Sequence, residues 1–408
     1  MSWGNIALKR IATLAAGGTP SVDEPNYWSE GDDGYAWSAI SDMSSVDAVT
    51  ATGRRISEDG LRSARIKVGE PGTILFSMYA SLGHTAWLEV PAAWNQAILG
   101  LRADQWTDAR FLRYSLVAMR QGLAELARSS TQANLNAEQV GNLPISRPPL
   151  DEQRRIADFL DAETTLINGL TEQRSRQREL LEEMKQSVTD HAIAYLNNCR
   201  RPRLGYLARV RTGVTVDGSR QQAEVSRPYL RVANVQVGYL DLKEVAEMDV
   251  PRTTAAASRL RTGDVLMTEG GDLDKLGRGT VWRDEIADCL HQNHVFAVRP
   301  DGDDLVPEYL ALLTRASFAR CYFESTGNKT TNLASTSSSK IRDFRIPVPD
   351  VSTQWSIVKQ IDARLAEVEQ FDGLIGRQIA LLAERREALI TAAVTGQIDV
   401  TTARGVDV

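Results

Sequence analysis

The sequence predicts an α+β protein in which two pseudo-symmetric mixed α/β domains are separated by two long helices that form an intramolecular antiparallel coiled coil. Three observations lead to this prediction. The chain repeats itself at an offset of about 200 residues, two long segments carry apolar residues at helical spacing, and each remaining half contains short strands joined by polar loops. With 408 residues, 42% of them hydrophobic, the chain can bury more than one core, which excludes disordered and collagen-like classes.

The repeat is clearest where a proline-rich segment leads into each long helical pattern. Aligning residues 143–156 with residues 344–357 superimposes Ile145 on Ile346, Pro148 on Pro349, Gln153 on Gln354 and Ile156 on Ile357. Asp151 and Ser352 follow the prolines and are good N-cap residues. We therefore expect one long helix in residues 151–199 and a second, followed by a C-terminal tail, in residues 351–408.

Both helical segments carry an apolar stripe with heptad spacing. The residues predicted to face the partner helix are Ile156, Leu160, Ile167, Leu170 and Leu181 in the first segment and Ile357, Ile361, Val368, Phe371, Leu382 and Leu389 in the second. The first stripe continues through Met184, Val188, His191 and Tyr195. One such stripe is also typical of a helix on a core, but two in register favour a coiled coil. Because a globular segment separates them, the second helix must return antiparallel along the first, giving a rod of about 65 Å.

The two globular halves, residues 1–150 and 200–350, share an outline and differ in their loops. A turn followed by a β-branched strand occurs at residues 69–77 and again at 261–268, and a further strand at 95–102 matches 292–299. Two domains of one design with different loops suit the binding of two different targets. A duplicated fold whose loops have merely drifted remains the alternative.

The sequence contains no recognisable catalytic constellation. Motifs for nucleotide phosphates, zinc and methyl transfer are absent, and His291 and His294 have no further ligand at metal-binding spacing. The net charge of −6 argues against a protein that coats nucleic acid through charge alone. Three scattered cysteines and the lack of a long apolar run lead us to expect a cytoplasmic protein.

Basic and amide side chains nevertheless cluster in the predicted loops of both halves. Arg and Lys suit guanine, whereas Asn and Gln pair with adenine through two hydrogen bonds. The candidate DNA contacts are Arg54, Gln96, Gln132 and Asn134 in the first half, and Arg231, Lys275, Arg278, Gln292, Asn293, Lys329 and Asn332 in the second.

The whole pattern resembles the specificity (S) subunit of type I restriction-modification enzymes, the HsdS family. The resemblance is carried by the repeated segment 148–156 and by the close of the second helix at 393–400, and segments 269–279 and 291–300 are similar to some target-recognition domains of that family. It adds His294 to the candidate contacts. In the first half, segment 77–84 replaces the glycine-rich loop and adds Ser77, Tyr79 and His84.

The resemblance implies that each globular half is a target-recognition domain that reads one half of a bipartite, asymmetric site in double-stranded DNA. The helices would set the gap, with half-sites about one to two DNA turns apart, and would dock two methyltransferase (M) subunits. S-adenosylmethionine, ATP and Mg²⁺ would then belong to the M subunits and to restriction/translocase (R) subunits, and this chain would be non-catalytic and bind no metal. A coiled-coil interaction scaffold with two peptide-binding heads is the alternative.

Overall fold

The computed structural model describes residues 3–401 except 32, 80, 130–133, 197–198, 216–223, 272–275 and 330–333. Contacts divide the chain into two compact units. Unit 1 comprises Met1–Arg174 and Arg377–Val408, and unit 2 comprises Ser175–Gly376. Each unit therefore combines one globular half with a part of both long helices. Among the residues described, no helix is both long and apolar enough to cross a membrane.

The globular part of unit 1 contains eleven described strands and four helices. The strands are β1 (Asn5–Ala7), β2 (Ala12–Ala16), β3 (Trp28–Ser29), β4 (Tyr35–Ser38), β5 (Ala48–Val49), β6 (Arg54–Ile56), β7 (Ile74–Ser77), β8 (Thr85–Leu88), β9 (Ala92–Trp94), β10 (Ile98–Ala103) and β11 (Pro144–Ser146). The helices are α1 (Ile40–Met43), α2 (Glu58–Ala64), α3 (Ala109–Ser129) and α4 (Ala137–Gly141). The first long helix, α5 (Leu150–Ala194), follows.

The strands of unit 1 form a five-stranded sheet in the order β2-β10-β7-β8-β5, a four-stranded sheet in the order β3-β6-β4-β9, and the pair β1-β11. The long sheet is largely antiparallel, and β7 and β10 are apolar on both faces because cores lie on either side of them. In the second sheet, β4 pairs in parallel with β9, which places Ser38 opposite Trp94.

Unit 2 repeats this plan with ten described strands and four shorter helices. The strands are β12 (Ala208–Thr212), β13 (Val225–Leu230), β14 (Ala246–Val250), β15 (Val265–Thr268), β16 (Gly270–Gly271), β17 (Gly279–Val281), β18 (Leu290–His291), β19 (Val295–Pro300), β20 (Asn328–Lys329) and β21 (Ala334–Ser335). The helices are α6 (Arg252–Ser258), α7 (Pro307–Leu313), α8 (Ser317–Thr326) and α9 (Ser338–Asp343). The second long helix is α10 (Val351–Val394).

The two larger sheets of unit 2 match those of unit 1 except that β5 and β3 have no counterpart among the described strands. The antiparallel order β12-β19-β15-β17 corresponds to β2-β10-β7-β8, and β14-β13-β18 corresponds to β6-β4-β9. The parallel pair recurs, with Leu230 opposite His291. A small third sheet, β16-β21-β20, is formed by loop segments of unit 2. The predicted fold class of two α/β domains and two long packed helices is confirmed.

The long helices pack antiparallel in each unit. In unit 1, Ile156 and Leu160 at the start of α5 share a buried cluster with Ile390 and Ala393 at the end of α10. In unit 2, the later part of α5 meets the earlier part of α10, where the Nε atom of Arg178 lies 2.7 Å from an oxygen of Asp372.

Of the predicted stripe residues, one in α10 is exposed. Ile361, Val368, Leu382 and Leu389 are buried or half-buried, as predicted. Phe371, however, is 60% exposed, and the next residue, Asp372, turns inward to Arg178. From Ile361 to Leu382 the inward positions of α10 are spaced alternately four and three residues apart, so Asp372 and not Phe371 takes the inward position.

The predicted stripe also fails near the end of α5, where Met184, His191 and Tyr195 are exposed. Val188, a predicted member of the stripe, is buried together with Ile193, in the same core as the globular part of unit 2. A helix packing on a globular core turns a different face inward from one that packs only on a partner helix. The change of neighbour therefore rotates the buried face of α5.

Both predicted N-caps lie two residues too late. Helix α10 begins at Val351, and a side-chain oxygen of Asp350 accepts the amide N–H of Thr353 at 2.9 Å, so Asp350 is the cap. The hydrogen bond from the Ser352 hydroxyl, together with the one from Thr353, lowers the pKa of Asp350 to about 2. Helix α5 begins at Leu150, and the carbonyl of Pro149 accepts its first amide hydrogen bonds.

The repeated glutamine fixes each long helix to its own globular part. Gln153 is 1% exposed; its Oε1 atom accepts the amide N–H of Asp108 at 2.9 Å, and its Nε2 atom donates to the carbonyl of Pro148 at 2.9 Å. Gln354 is fully buried and repeats the pattern by accepting from the amide of Val306 at 2.9 Å. The Nε2 atom of Gln354 also donates to the carbonyls of Asp304, at 2.8 Å, and Pro349, at 2.9 Å. We call these two residues the glutamine clamps.

Replacing a clamp by leucine should destabilise the unit that holds it. Gln354→Leu removes the acceptor for a buried amide N–H, which costs about 1–3 kcal/mol of unfolding free energy. Urea denaturation of the full chain measures this change. Gln360→Leu is the matched control, because Gln360 lies exposed on the same helix. Equal stability of the two variants would contradict the role assigned to the clamp.

Candidate nucleic-acid interface

Four loop segments of unit 2 converge at one end of its main sheet. Their centre is the turn between β18 and β19, which we call the central turn (residues 291–294 in unit 2). The amide of Glu269, just after β15, donates to the carbonyl of His294 at 2.9 Å, and the amide of Thr336 donates to the carbonyl of Glu269 at 2.7 Å. The amide of Gly277 donates to the carbonyl of Thr268 at 3.2 Å, which holds a third segment beside them.

Unit 1 builds the same junction from different side chains. Its central turn is formed by residues 94–97, between β9 and β10. The amide of Met78, just after β7, donates to the carbonyl of Ala97 at 2.9 Å, and the amide of Leu135 donates to the carbonyl of Met78 at 3.1 Å. The backbone arrangement is therefore duplicated between the units, while the side chains that it presents are not.

A glycine in each unit allows the chain to approach the central turn closely. A Cβ atom on Gly17 would lie 2.2 Å from the carbonyl oxygen of Asn95, and one on Gly213 would lie 2.1 Å from that of His291. Any larger residue would push this backbone contact apart. Glycines therefore precede Thr19 and Thr215 in the sequence for a geometric reason.

In unit 2, several predicted residues lie on or beside the central turn. Gln292 and Asn293 are half-buried, and neither side-chain amide is hydrogen-bonded to another residue that the structure describes. His294 is exposed, with its Nδ1 atom 2.5 Å from a carboxylate oxygen of Glu269. The half-buried Arg231 follows Leu230, whose carbonyl accepts the amide of Gln292.

The remaining candidates of unit 2 belong to the flanking loops. Arg278 is half-buried and follows Gly277 in the segment hydrogen-bonded to Thr268. Lys329 lies on β20, and its side chain is outside the described part of the chain. Lys275 and Asn332 lie wholly outside the described residues.

In unit 1, the candidates divide into surface groups and supporting groups. Gln96 and Asn134 are exposed, and Gln96 accepts a hydrogen bond from the hydroxyl of Thr19. Ser77 is fully buried and donates to the carbonyl of Tyr79 at 2.6 Å, and Tyr79 packs on the core. These two residues shape the loop rather than line its surface.

Three further candidates of unit 1 stand apart. The Nε2 atom of His84 is 3.2 Å from the carbonyl oxygen of Val46. Arg54 lies on β6, in the neighbouring sheet, with its guanidinium 4.0 Å from the centre of the Trp28 ring. Gln132 lies outside the described residues. Sequence reasoning missed Trp28, and no pattern in the sequence pairs it with Arg54.

His291 holds the central turn of unit 2 and is a structural residue. It is 1% exposed, and its Nδ1 atom lies 2.6 Å from the carbonyl oxygen of Val295. Burial lowers the pKa of His291, because a desolvated imidazolium is unfavourable. Trp94 holds the equivalent position in unit 1 and is also buried. The described residues contain no group of three or more His, Cys, Asp or Glu suited to a metal ion.

Comparison with known proteins gives one consistent family. The type I restriction modification DNA specificity domain matches residues 2–179. The type I restriction enzyme MjaIX specificity subunit of Methanocaldococcus jannaschii is 25% identical over 186 residues, covering 45% of this chain and 41% of that protein. The EcoKI specificity subunit of Escherichia coli K12 is 21% identical over 305 residues, covering 71% of this chain and 65% of that protein. The chain thus spans less than two thirds of the length of these curated relatives.

Solved structures share the fold over nearly the whole chain. A chain from a study of complex assembly and conformational transition in the type I R-M system superimposes with a TM-score of 0.74 at 18% identity, covering 97% of this chain and 98% of that one. The HsdS subunit from Thermoanaerobacter tengcongensis gives a TM-score of 0.52 at 17% identity, covering 97% of each chain.

The buried His291 predicts a pH dependence of stability. Since its pKa in the folded protein is below the ordinary value of about 6.5, stability is retained above that pH and lost as the pH falls through it, when the unfolded chain gains a proton first. Thermal unfolding at pH 7.5 and pH 5.5 should show this loss. His291→Asn, which keeps a nearby donor but cannot titrate, should lose less stability between these pH values. An unchanged pH dependence in that variant would refute the assignment.

Proposed function

Because this chain belongs to the family of type I restriction-modification specificity subunits, we propose that it selects the DNA sequence on which such a system acts. Each globular part reads one half of a bipartite, asymmetric site. The observation that carries this proposal is the duplicated junction at the central turn. Equivalent backbone hydrogen bonds hold the turn of residues 95–97 in unit 1 and that of residues 292–294 in unit 2. One scaffold with two sets of side chains is suited to two different half-sites.

The chemistry available in unit 2 fits direct reading of base edges in the major groove. The open amides of Gln292 and Asn293 can pair with adenine, and the guanidinium groups of Arg231 and Arg278 suit guanine. In unit 1, Asn134 and Gln96 offer amides at the corresponding place. Ser77 is left out of the reading set because its side chain is buried.

The long helices dock the partner subunits in this proposal. Several large apolar side chains of α5 and α10 face solvent in unit 2. Among them, Leu180, Met184, Phe371 and Leu374 are exposed by 56%, 51%, 60% and 42%. We call these four the apolar ridge. Aromatic and methionine side chains are enriched where proteins associate. Methyltransferase subunits are the occupants that the family relationship favours, and R subunits would join through them.

Catalysis belongs to those partners. S-adenosylmethionine would be bound by the M subunits, and ATP and Mg²⁺ by the R subunits. This chain contributes selection and spacing, with the length of α5 and α10 setting the gap between half-sites. The proposed location is the cytoplasm, where the host DNA is found.

Removing one side-chain amide from each unit should affect a different half-site in each case. Asn293→Ala should weaken discrimination at one half-site by about 1–3 kcal/mol per lost base contact, and Asn134→Ala should do so at the other. Binding of the chain and its M partner to DNA with single-base changes in each half-site measures this. Loss at both half-sites from one substitution, or no loss of discrimination from either, would contradict separate reading by the two units.

The apolar ridge should matter for assembly and not for folding. Phe371→Gln should leave the unfolding free energy within about 0.5 kcal/mol of the wild type, since the side chain is mostly exposed. It should weaken binding of the M subunit at least tenfold in calorimetric titration. Arg364→Gln, which changes an exposed residue two helical turns earlier on the same side of α10 and leaves the apolar ridge intact, is the control. Undiminished M binding by Phe371→Gln would place the partner elsewhere.

A further inference from the structure

A small cavity in unit 2 is lined by arginines from three different segments. Arg227 comes from β13, Arg252 from the first turn of α6, and Arg259 from the residue after that helix. The cavity has a volume of about 270 Å³, and Asp288 is the one acidic residue in its lining. We call it the arginine cavity. Its lining is strongly positive in a protein whose net charge is −6.

The carboxylates nearby do not satisfy these three cations. Asp288 pairs closely with Arg259, at 2.9 Å, and only distantly with Arg227, at 3.8 Å. Arg252 is 79% exposed in its side chain, and its Nε atom lies 3.8 Å from Glu224. A guanidinium group offers five N–H donors in a fork that fits a phosphate. Donors of Arg227 and Arg252 thus remain available to an anion.

We propose that the arginine cavity holds a phosphate group of the bound DNA, beside the bases that unit 2 reads. This inference rests on the proposed function. The volume lies below the range typical of pockets for whole small molecules, and suits one phosphate with its water. Arg227 and Arg231 are four residues apart along β13 and its end, about 13 Å. With β13 lying along the DNA, that distance would correspond to roughly four base pairs at about 3.4 Å each, which would place the phosphate at the edge of a short half-site.

The corresponding place in the second sheet of unit 1 is lined by different side chains. Tyr35 holds the position in β4 that Arg227 holds in β13, as the parallel pairs Ser38–Trp94 and Leu230–His291 show. Tyr35 is hydrogen-bonded to Glu58 of α2, which raises the pKa of the tyrosine. A tyrosine paired with a glutamate therefore stands where unit 2 has Arg227. The cavity beside Tyr35 is lined by Arg54 and Arg55 instead.

The decisive experiment compares two exposed arginines in the full chain bound to its M partner. Arg252→Ala removes a cavity arginine, and Arg209→Ala is the matched control. Arg209 is 72% exposed, is paired with Asp301 at 3.0 Å, and lies opposite Arg299, at the end of the sheet away from the central turn. DNA affinity is measured across a salt series, on DNA carrying the motif and on DNA with the half-site of unit 2 scrambled.

Arg252→Ala should reduce the slope of log K against log salt by about 0.9, the value for one phosphate contact in duplex DNA. Because a phosphate carries no sequence information, the affinity should fall by the same factor on both DNAs. Arg252→Lys should restore part of the slope. Arg209→Ala should leave it unchanged. Identical slopes for Arg252→Ala and Arg209→Ala, with the motif still preferred, would overturn this inference alone.

Two further outcomes separate other sources of failure. If the wild-type complex prefers no DNA sequence, the proposed function fails and this inference with it. Inorganic phosphate, added at constant ionic strength, should not raise the melting temperature of the wild type by more than it raises that of Arg252→Ala. A selective rise of that kind, with an unchanged DNA salt slope, would make the cavity a site for small phosphates and overturn the DNA assignment.

Discussion

The structure depends on the way in which each glutamine clamp joins a long helix to a globular part. A long amphipathic helix has little to fix its rotation or its starting point. Gln153 and Gln354 provide both, because each accepts a buried amide from the globular part and donates to carbonyls at the helix start. A buried amide that finds all its partners in one geometry enforces that geometry, since any displacement leaves buried polar groups unsatisfied. The entry of each helix into its unit is thus set by hydrogen bonds in addition to the apolar contacts of Ile156 and Ile357.

The same division between fixed and variable parts recurs at the central turns. The backbone hydrogen bonds and the close approach at Gly17 and Gly213 are common to both units, whereas the side chains on the turns differ. Stability therefore rests on groups that do not face the target, and the exposed side chains are free to vary. As proposed, the arginine cavity would add a contact to a DNA phosphate in unit 2 without reading a base.

Much of the architecture follows from the sequence because the repeat and the heptad spacing are strong, local signals. The offset that aligns Gln153 with Gln354 also aligns the helix starts, and the predicted strands near residues 69–77 and 292–299 overlap β7 and β19. The inward position of Asp372 in place of Phe371 could not be predicted, since its ion pair with Arg178 joins two helices distant in sequence. The burial of Ser77, which separates it from the exposed candidate residues, likewise involves a hydrogen bond within a turn that no local sequence pattern reveals. The arginine cavity is formed by segments that are distant in sequence, so the sequence alone does not reveal it.

The acidic net charge acquires a more definite meaning in this account. The segment 151–199, which contains all but the first residue of α5, carries six basic and ten acidic residues, and the arginines that suit DNA lie in the globular parts. In the proposed function the chain selects a sequence, while its partners supply chemistry and much of the attraction to phosphate. Sequencing of methylated bases in a host that expresses the M partner, with and without this chain, tests that claim most directly. The account predicts one bipartite motif, methylated on both strands, that appears only when the chain is present. Methylation that is unchanged by removing the chain, or a single uninterrupted motif, would contradict it.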